Sequence, residues 1–369
     1  MTVVDVLVVG GGIVGAAAAR GLAGAGLIVE LIDSGTEDGI ATQASGGMLA
    51  PLAESGADDP LAGLSVRARD LYRELAPALH DETGIDVGLW SEGILKVAFT
   101  EEEEDAGRSS IAWQRQQGLN TDWLPASALR QQCPGLSPAV RGAVLAPEDG
   151  ALDPMALLEA LLVSGTKHGL RIARNEHVQR VLIEDGRVTG VVTDKTRRAA
   201  GAVVVAAGSW SRRIEGLPRP LSVEPVRGQM LAFDWPDGEP RAIVYSGRGY
   251  VLWRGAEAVA GSTMEHVGFD ASVTDEGVEQ VGEIAGRLYP ALAGAPIRRR
   301  WAGLRPATPD GRPIIGPDPE IPGLWYATGH GRNGILLAGI TGEILANLFT
   351  ENTLEFDLSL LAPSRFWQD

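Results

Sequence analysis

The sequence predicts an α/β fold in which a nucleotide-binding domain is assembled from separated pieces of chain, with an α+β domain inserted into it. Three observations predict this. Residues 3–33 read in order as strand, glycine-rich turn, helix, second strand and acid. Two more buried strands, each running into a turn of small residues, lie far downstream at 201–211 and 324–334. The stretches between them hold β-like pieces at 93–99, 228–233 and 249–253.

Val3-Val4-Asp5-Val6-Leu7-Val8-Val9 is apolar and β-branched and ends at glycines, the pattern of a strand buried on both faces. Gly10-Gly11-Gly12-Ile13-Val14-Gly15 follows and carries G-x-G-x-x-G. The alanine-rich run from Ala16 to Ala25 reads as a helix that Gly26 stops. Leu27 to Ile32 is a second strand, with Asp33 at its end. Each part has a mechanical role. Gly10 permits a tight turn, Gly12 lets backbone approach a pyrophosphate, and Gly15 lets helix and strand pack closely. The helix N-terminus offers unpaired N–H groups and a positive dipole to phosphates. Asp33 would accept hydrogen bonds from ribose hydroxyls. Strand, turn, helix and acid together make a Rossmann-type unit, which by itself does not separate a nicotinamide from a flavin dinucleotide.

Downstream, Gly201 to Val205 is a buried strand entering the turn Ala206-Ala207-Gly208-Ser209-Trp210-Ser211. His177 to Val192 reads as a β-meander turning at Asp185-Gly186. Near the end, Leu324 to Thr328 leads through Gly329-His330-Gly331-Arg332-Asn333-Gly334 into a helix from Ile335 to Phe349. That second strand–turn–helix supplies another dipole for an extended cofactor. The acidic run Glu101 to Asp105 suits the first turn of an exposed helix. The nucleotide-binding domain is therefore expected from 1–85, 148–218 and 302–369, and the inserted domain from 86–147 and 219–301.

A chain of 369 residues, 44% hydrophobic and 22% charged, suits two associated domains. A net charge of −16 argues against a nucleic-acid partner, which needs a basic surface. Cys133 is the only cysteine and the five histidines are scattered, so neither a disulfide framework nor a metal site is expected. No window reaches the roughly 18 apolar residues of a membrane span, and no basic leader precedes the first strand. A cytoplasmic protein is expected, with homo-oligomerisation left open.

The chain resembles the D-amino acid oxidase superfamily of flavoproteins, and within it most the glycine oxidases, almost end to end. The resemblance is carried by GGGIVG at 10–15, SGGMLAP at 45–51 and VVAAGSWS at 204–211. PVRGQM at 225–230, RWAGLRPATPDGRPIIG at 300–316 and GHGRNGILLA at 329–338 extend it. It implies FAD as cofactor and a mixed, largely antiparallel sheet in the inserted domain, roofing the flavin ring. FAD contacts carry over to Gly10, Gly12, Ile13, Val14, Gly15, Asp33, Ser45, Gly46, Met48, Val178, Ala207, Gly208 and Trp210. They continue at Gly331, Asn333, Gly334 and Ile335. From the residues alone, Ser45 reads equally as a helix cap and Val178 as sheet core. Cys133 lies outside the C-terminal flavin segments, so the flavin is expected to be non-covalent. A second G-x-G-x-x-G is missing, which argues against a pyridine-nucleotide reductase.

The resemblance further implies oxidation of a small amino acid to an imine, with O2 reduced to H2O2, and a role in thiamine thiazole synthesis. A same-fold dehydrogenase passing electrons to a quinone is the alternative. Arg305 matches the arginine that clamps the substrate carboxylate, a task suited to its planar, two-pronged fork. Tyr250 matches a tyrosine that helps hold the same carboxylate. Arg332 matches a position beside substrate and flavin edge, while Met48 and Met264 match pocket-lining residues. His330 is assigned no proton-transfer role. Gly331 stands where several glycine oxidases carry a bulky aromatic, which leaves sarcosine, D-alanine and D-proline open beside glycine.

Overall fold

The computed structural model describes residues 4–35, 38–56, 59–354 and 356–367; Val3, expected in the first strand, lies outside them. Strand β1 (Val4–Val9) buries every residue but Asp5 and lies inside an eight-stranded sheet. It pairs in parallel with β2 (Val29–Asp33) and β11 (Arg197–Val205). Parallel pairing continues to β8 (Arg171–Arg174) on one side and β18 (Leu324–Thr328) on the other, with β17 (Ile314–Pro317) antiparallel at the edge. Side chains alternate between the faces. Val6 and Val8 join the core under helices α1 (Ile13–Gly24), α4 (Ala62–Thr83), α7 (Pro154–Lys167) and α9 (Gly334–Phe349). Leu7 and Val9 pack on the opposite face against β9 (Val178–Glu184) and β10 (Arg187–Thr193). The expected meander is β9–β10–β11, and Asp185 and Gly186 turn it with φ of 50° and 74°. Those paired positive angles match the right-handed twist of the flanking strands.

Helices α1 and α9 touch backbone to backbone. A Cβ on Gly21 would stand 2.6 Å from the Gly342 carbonyl oxygen, and one on Gly342 2.5 Å from that of Ala17. The close crossing places the N-termini of both helices on the same cavity.

The second sheet also has eight strands, in the order β16 (Arg299–Ala307), β12 (Glu224–Asp234), β15 (Glu257–Gly261), β14 (Gly249–Arg254), β13 (Ile243–Ser246), β4 (Ile94–Ala98), β6 (Gly142–Ala146) and β5 (Asp122–Pro125). Only the β13–β4 pairing is parallel, so the sheet is mixed and largely antiparallel, as expected. One face packs against α8 (Asp275–Leu288) and α6 (Ala126–Gln132). The other carries Met230, Tyr245, Tyr250 and Val259 and meets Ala50 and Ala53 from the first part of the chain. The acidic run opens α5 (Glu101–Gln116), where Thr100 and Glu103 form a capping box.

Strand β16 pairs with β12 over its whole length, from Glu224 opposite Ala307 to Ala232 opposite Arg299. The roof sheet thus runs past the boundary expected at 301, and Arg305 belongs to it. Four short elements complete the cavity floor and its surroundings: α2 (Ala41–Ala44), α3 (Pro51–Glu54) and the paired strands β3 (Met48–Leu49) and β7 (Gly150–Ala151). No helix among the described residues is long and apolar enough to cross a membrane.

Candidate active site

A cavity of about 540 Å³ lies between the two sheets. At one end the β1–α1 turn forms its floor. Gly10 has φ +112°, and a Cβ there would stand 2.5 Å from the Ala206 carbonyl oxygen. A Cβ on Gly15 would overlap the Gly10 carbonyl oxygen at 1.9 Å, so the glycine lets helix and strand close together. At Gly12 the nearest atom to a Cβ is Thr42 Oγ1 at 3.5 Å, which leaves the backbone open to the cavity. Gly12 carries no side-chain cap, and the first turn of α1 holds no acid. The N-terminus therefore keeps its dipole for an anion, worth about 0.3–1 kcal/mol per charge at an exposed site. Ile13 N–H donates to Thr42 Oγ1 (3.0 Å), and Gly11 N–H donates to Asp33 Oδ1 (3.1 Å). The N-terminus of α9 is likewise free of a side-chain cap and of acid.

The cavity wall brings together Val14, Ser45, Gly46, Met48, Val178, Ala207, Gly208, Trp210, Gly331, Asn333, Gly334 and Ile335 with the floor residues Gly10, Gly12, Ile13 and Asp33. Ser45 ends α2 rather than starting a helix, and its hydroxyl accepts from Gly47 N–H (3.0 Å). The Arg254 guanidinium donates to the Gly46 carbonyl and so ties this loop to the roof. His330 is buried, and burial holds its pKa down at about 3, so it stays neutral. The Thr341 hydroxyl donates to the Leu337 carbonyl (2.7 Å), so His330 Nε2–H is the donor in the 3.1 Å contact with Thr341 Oγ1. Cys133 packs in the roof's far core and does not line the cavity; burial, then Glu239, pushes its thiol up to about 11.

At the roof end, Arg305 and Tyr250 both line the cavity. Arg305 donates to Ser262 Oγ (2.5 Å) and to the Thr263 carbonyl (3.2 Å), which aims its guanidinium. Gly228 makes the room: a Cβ there would stand 2.1 Å from Arg305 Nη1. Gly46 does the same for Tyr250, whose hydroxyl oxygen would lie 2.2 Å from an added Cβ. The Tyr250 hydroxyl donates weakly to Met230 Sδ (3.6 Å). Burial pushes the Tyr250 phenol up against the pull of Arg305, so it remains a hydrogen-bond donor. Burial also lowers Arg305, with Tyr250 opposing.

Arg332 lines the cavity too, but it is engaged by Glu54 Oε1 (2.9 Å) and the Tyr245 hydroxyl (3.2 Å). Burial acts to lower its pKa, and Glu54 and Tyr245 raise it on balance. Two expected site residues fall outside the cavity wall: Gly15, which packs under the Gly10 carbonyl, and Met264. Met264 is 55% exposed and does not line the cavity. Thr263 is fully buried and Glu265 turns inward to Arg227 and Gln229, so in an extended segment the residue between them points out.

Thr42, Glu54, Gly228, Met230 and Ser262 are cavity residues that sequence reasoning did not single out. Glu54 had a signal: it is an acid three residues beyond SGGMLAP in an otherwise apolar stretch. Gly228 and Met230 lay inside PVRGQM, but nothing local told which of those side chains face the site.

The sequence profile of the FAD dependent oxidoreductase (DAO) family matches residues 5–348. The chain is 35% identical over 367 residues to the bifunctional protein ThiO/ThiG of Nostoc sp., covering 98% of this chain but 55% of that protein. It thus spans about half the length of those bifunctional relatives. It is 33% identical to the glycine oxidase of Pseudomonas aeruginosa, covering 97% of this chain and 98% of that one. The crystal structure of glycine oxidase from Geobacillus kaustophilus superimposes with a TM-score of 0.93 at 32% identity, covering 99% of both chains.

Proposed function

We propose, from the premise that the chain belongs to the DAO family of FAD-dependent oxidoreductases, that it oxidises glycine or another small amino acid at its α-carbon. The observation that carries this reading is the pair Arg305 and Tyr250, hung from the roof sheet over a cavity whose floor is a dinucleotide cradle.

The residues present fit FAD, because the glycine floor and an α1 first turn free of acid leave backbone space and dipole that side chains would otherwise fill. Gly10, Gly12 and Asp33 would hold the pyrophosphate and ribose, and Val178 the adenine. Ser45, Gly46, Met48, Gly331, Asn333, Gly334 and Ile335 would hold the flavin end. When bound, FAD accepts the two electrons released as the C–N bond becomes C=N and delivers them to O2 as H2O2. Arg305 holds the carboxylate by two parallel charge-assisted hydrogen bonds, each contributing about 1.5–3 kcal/mol. Tyr250 donates a further bond by turning its phenol O–H from the weak contact with Met230 Sδ to the carboxylate. The substrate bound as a neutral amine asks no base of the protein, and the neutral His330 supplies none. The roof excludes water and keeps the α-carbon in line.

The product is an imine, and similarity to ThiO/ThiG supports its use in building the thiamine thiazole. We place the reaction in the cytoplasm, in keeping with the lone cysteine and the likeness to glycine oxidases. The test is anaerobic bleaching of the bound flavin with glycine, sarcosine, D-alanine and D-proline, followed by air. Fast bleaching by glycine and recolouring with one peroxide per turnover supports the proposal. Bleaching by none of the four overturns the substrate class, and failure to recolour in air reassigns the acceptor to a quinone.

A further inference from the structure

Arg305 and Arg332 both present guanidinium groups to one cavity, yet an amino-acid substrate brings a single carboxylate. Arg305 is aimed by Ser262 and Thr263, and among the described residues no carboxylate bonds to it. Arg332 is different, because Glu54 lies 2.9 Å from its Nη2. Glu54 engages Arg332 and leaves Arg305 as the guanidinium open to a substrate carboxylate. Burial raises the Glu54 carboxyl on balance, with Arg332 first and then Lys96 pulling it back down and favouring its charged form. Lys96 therefore adds to the positive field that Glu54 offsets.

Glu54 is held in place from below. It ends α3, whose Leu52 and Ala53 N–H groups both donate to Asp149 Oδ2 at 2.9 Å. Asp149 is fully buried and is paired with Arg69 at 3.0 Å. The carboxylate thus meets Arg332 without having to order a flexible loop. On the far side the Tyr245 hydroxyl accepts from the same Arg332 nitrogen.

We propose that Glu54 determines specificity by occupying Arg332: the pair masks a second carboxylate subsite and confines the enzyme to substrates carrying one carboxylate. The inference rests on the amino-acid oxidase reading for its substrates, but its binding component needs no turnover. With Glu54 neutralised, Arg332 is free to accept a second carboxylate while Arg305 keeps the first.

The experiment compares the holoenzyme with Glu54→Gln, titrating acetate and malonate through their perturbation of the flavin absorption band. The variant should shift the ratio of the two dissociation constants toward malonate by about tenfold or more, the scale of one charge-assisted hydrogen bond. Turnover of N-carboxymethylglycine relative to sarcosine should rise in the same direction. The double variant Glu54→Gln/Arg332→Met should lose the gain. A malonate-to-acetate ratio within threefold of wild type in Glu54→Gln overturns the proposal, as does a gain that survives removal of Arg332. If Glu54→Gln does not retain flavin, Glu54→Asp retracts the carboxylate instead, and an unchanged ratio there also overturns it. A shifted ratio in an enzyme that no amino acid reduces would sink the oxidase reading and leave the masked subsite standing.

Discussion

Gly228→Ala moves Arg305, the proposed carboxylate clamp, without altering any charge. The added Cβ would stand 2.1, 2.2 and 2.4 Å from Nη1, Nη2 and Cζ of Arg305. Non-bonded heavy atoms settle at about 3.5–4 Å, so the guanidinium must retreat by more than about 1 Å. That group is the far end of a flexible side chain, and the β12–β16 backbone pairing around Gly228 and Gly303 can stay as it is. Folding should therefore lose little. Catalysis should lose much more, because retreat breaks the bonds to Ser262 and Thr263 that aim Arg305. A misplacement of about 1 Å costs on the order of 100-fold. We expect kcat/KM for glycine to fall roughly 30- to 300-fold, with flavin content and melting temperature close to wild type. Loss of binding common to ground and transition states would appear mainly in KM. The assay is steady-state peroxide release on protein with matched flavin occupancy. A value within threefold of wild type would refute the clamp, since the arginine could then move freely without consequence.

Gly15→Ala should behave oppositely: its Cβ meets the Gly10 carbonyl oxygen at 1.9 Å, and backbone cannot swing away. A loss of roughly 3 kcal/mol in urea unfolding is expected, with little flavin retained on purification; stable, yellow protein would contradict the close-packing argument. Asp149→Ala leaves the buried Arg69 short of a partner and two α3 N–H groups unpaired. It should cost about 3–5 kcal/mol by chemical denaturation, and a cost under about 1 kcal/mol would count against a structural ion pair. His330 carries a pH signature. Burial lowers its pKa from 6.5 to about 3, so below pH 6.5 the unfolded chain takes a proton that the folded one refuses. Stability must fall as pH drops from 6.5 toward 3, by about 2 kcal/mol between pH 7 and 5. His330→Asn should lack that component in paired urea titrations, and parallel pH slopes would mean that the histidine titrates normally.

The nucleotide cradle was legible in the sequence because its parts are neighbours along the chain. A buried strand, a glycine that must take φ +112°, a helix free of acid in its first turn and an acid at the next strand end all fall between Val4 and Asp33. Periodicity and backbone conformational need are properties of contiguous residues, and so is the Asp185-Gly186 turn. The resemblance then added FAD and the identities of Arg305 and Tyr250, which spacing alone would not have supplied.

The cavity's electrostatics were decided elsewhere. Glu54 and Arg332 are 278 residues apart, and only the docking of α3 under the roof sheet brings them together. Gly228 owes its importance to a register in which β12 and β16 run antiparallel, a pairing no local pattern encodes. Met264 turned outward for a similar reason: the ion pair of Glu265 with Arg227, made across strands, settles which way the alternation points. What the sequence by itself determined is the backbone cradle for the cofactor. Which charges face the substrate was left to tertiary structure, because cross-sheet pairing, unlike a turn, is chosen by burial of the whole chain.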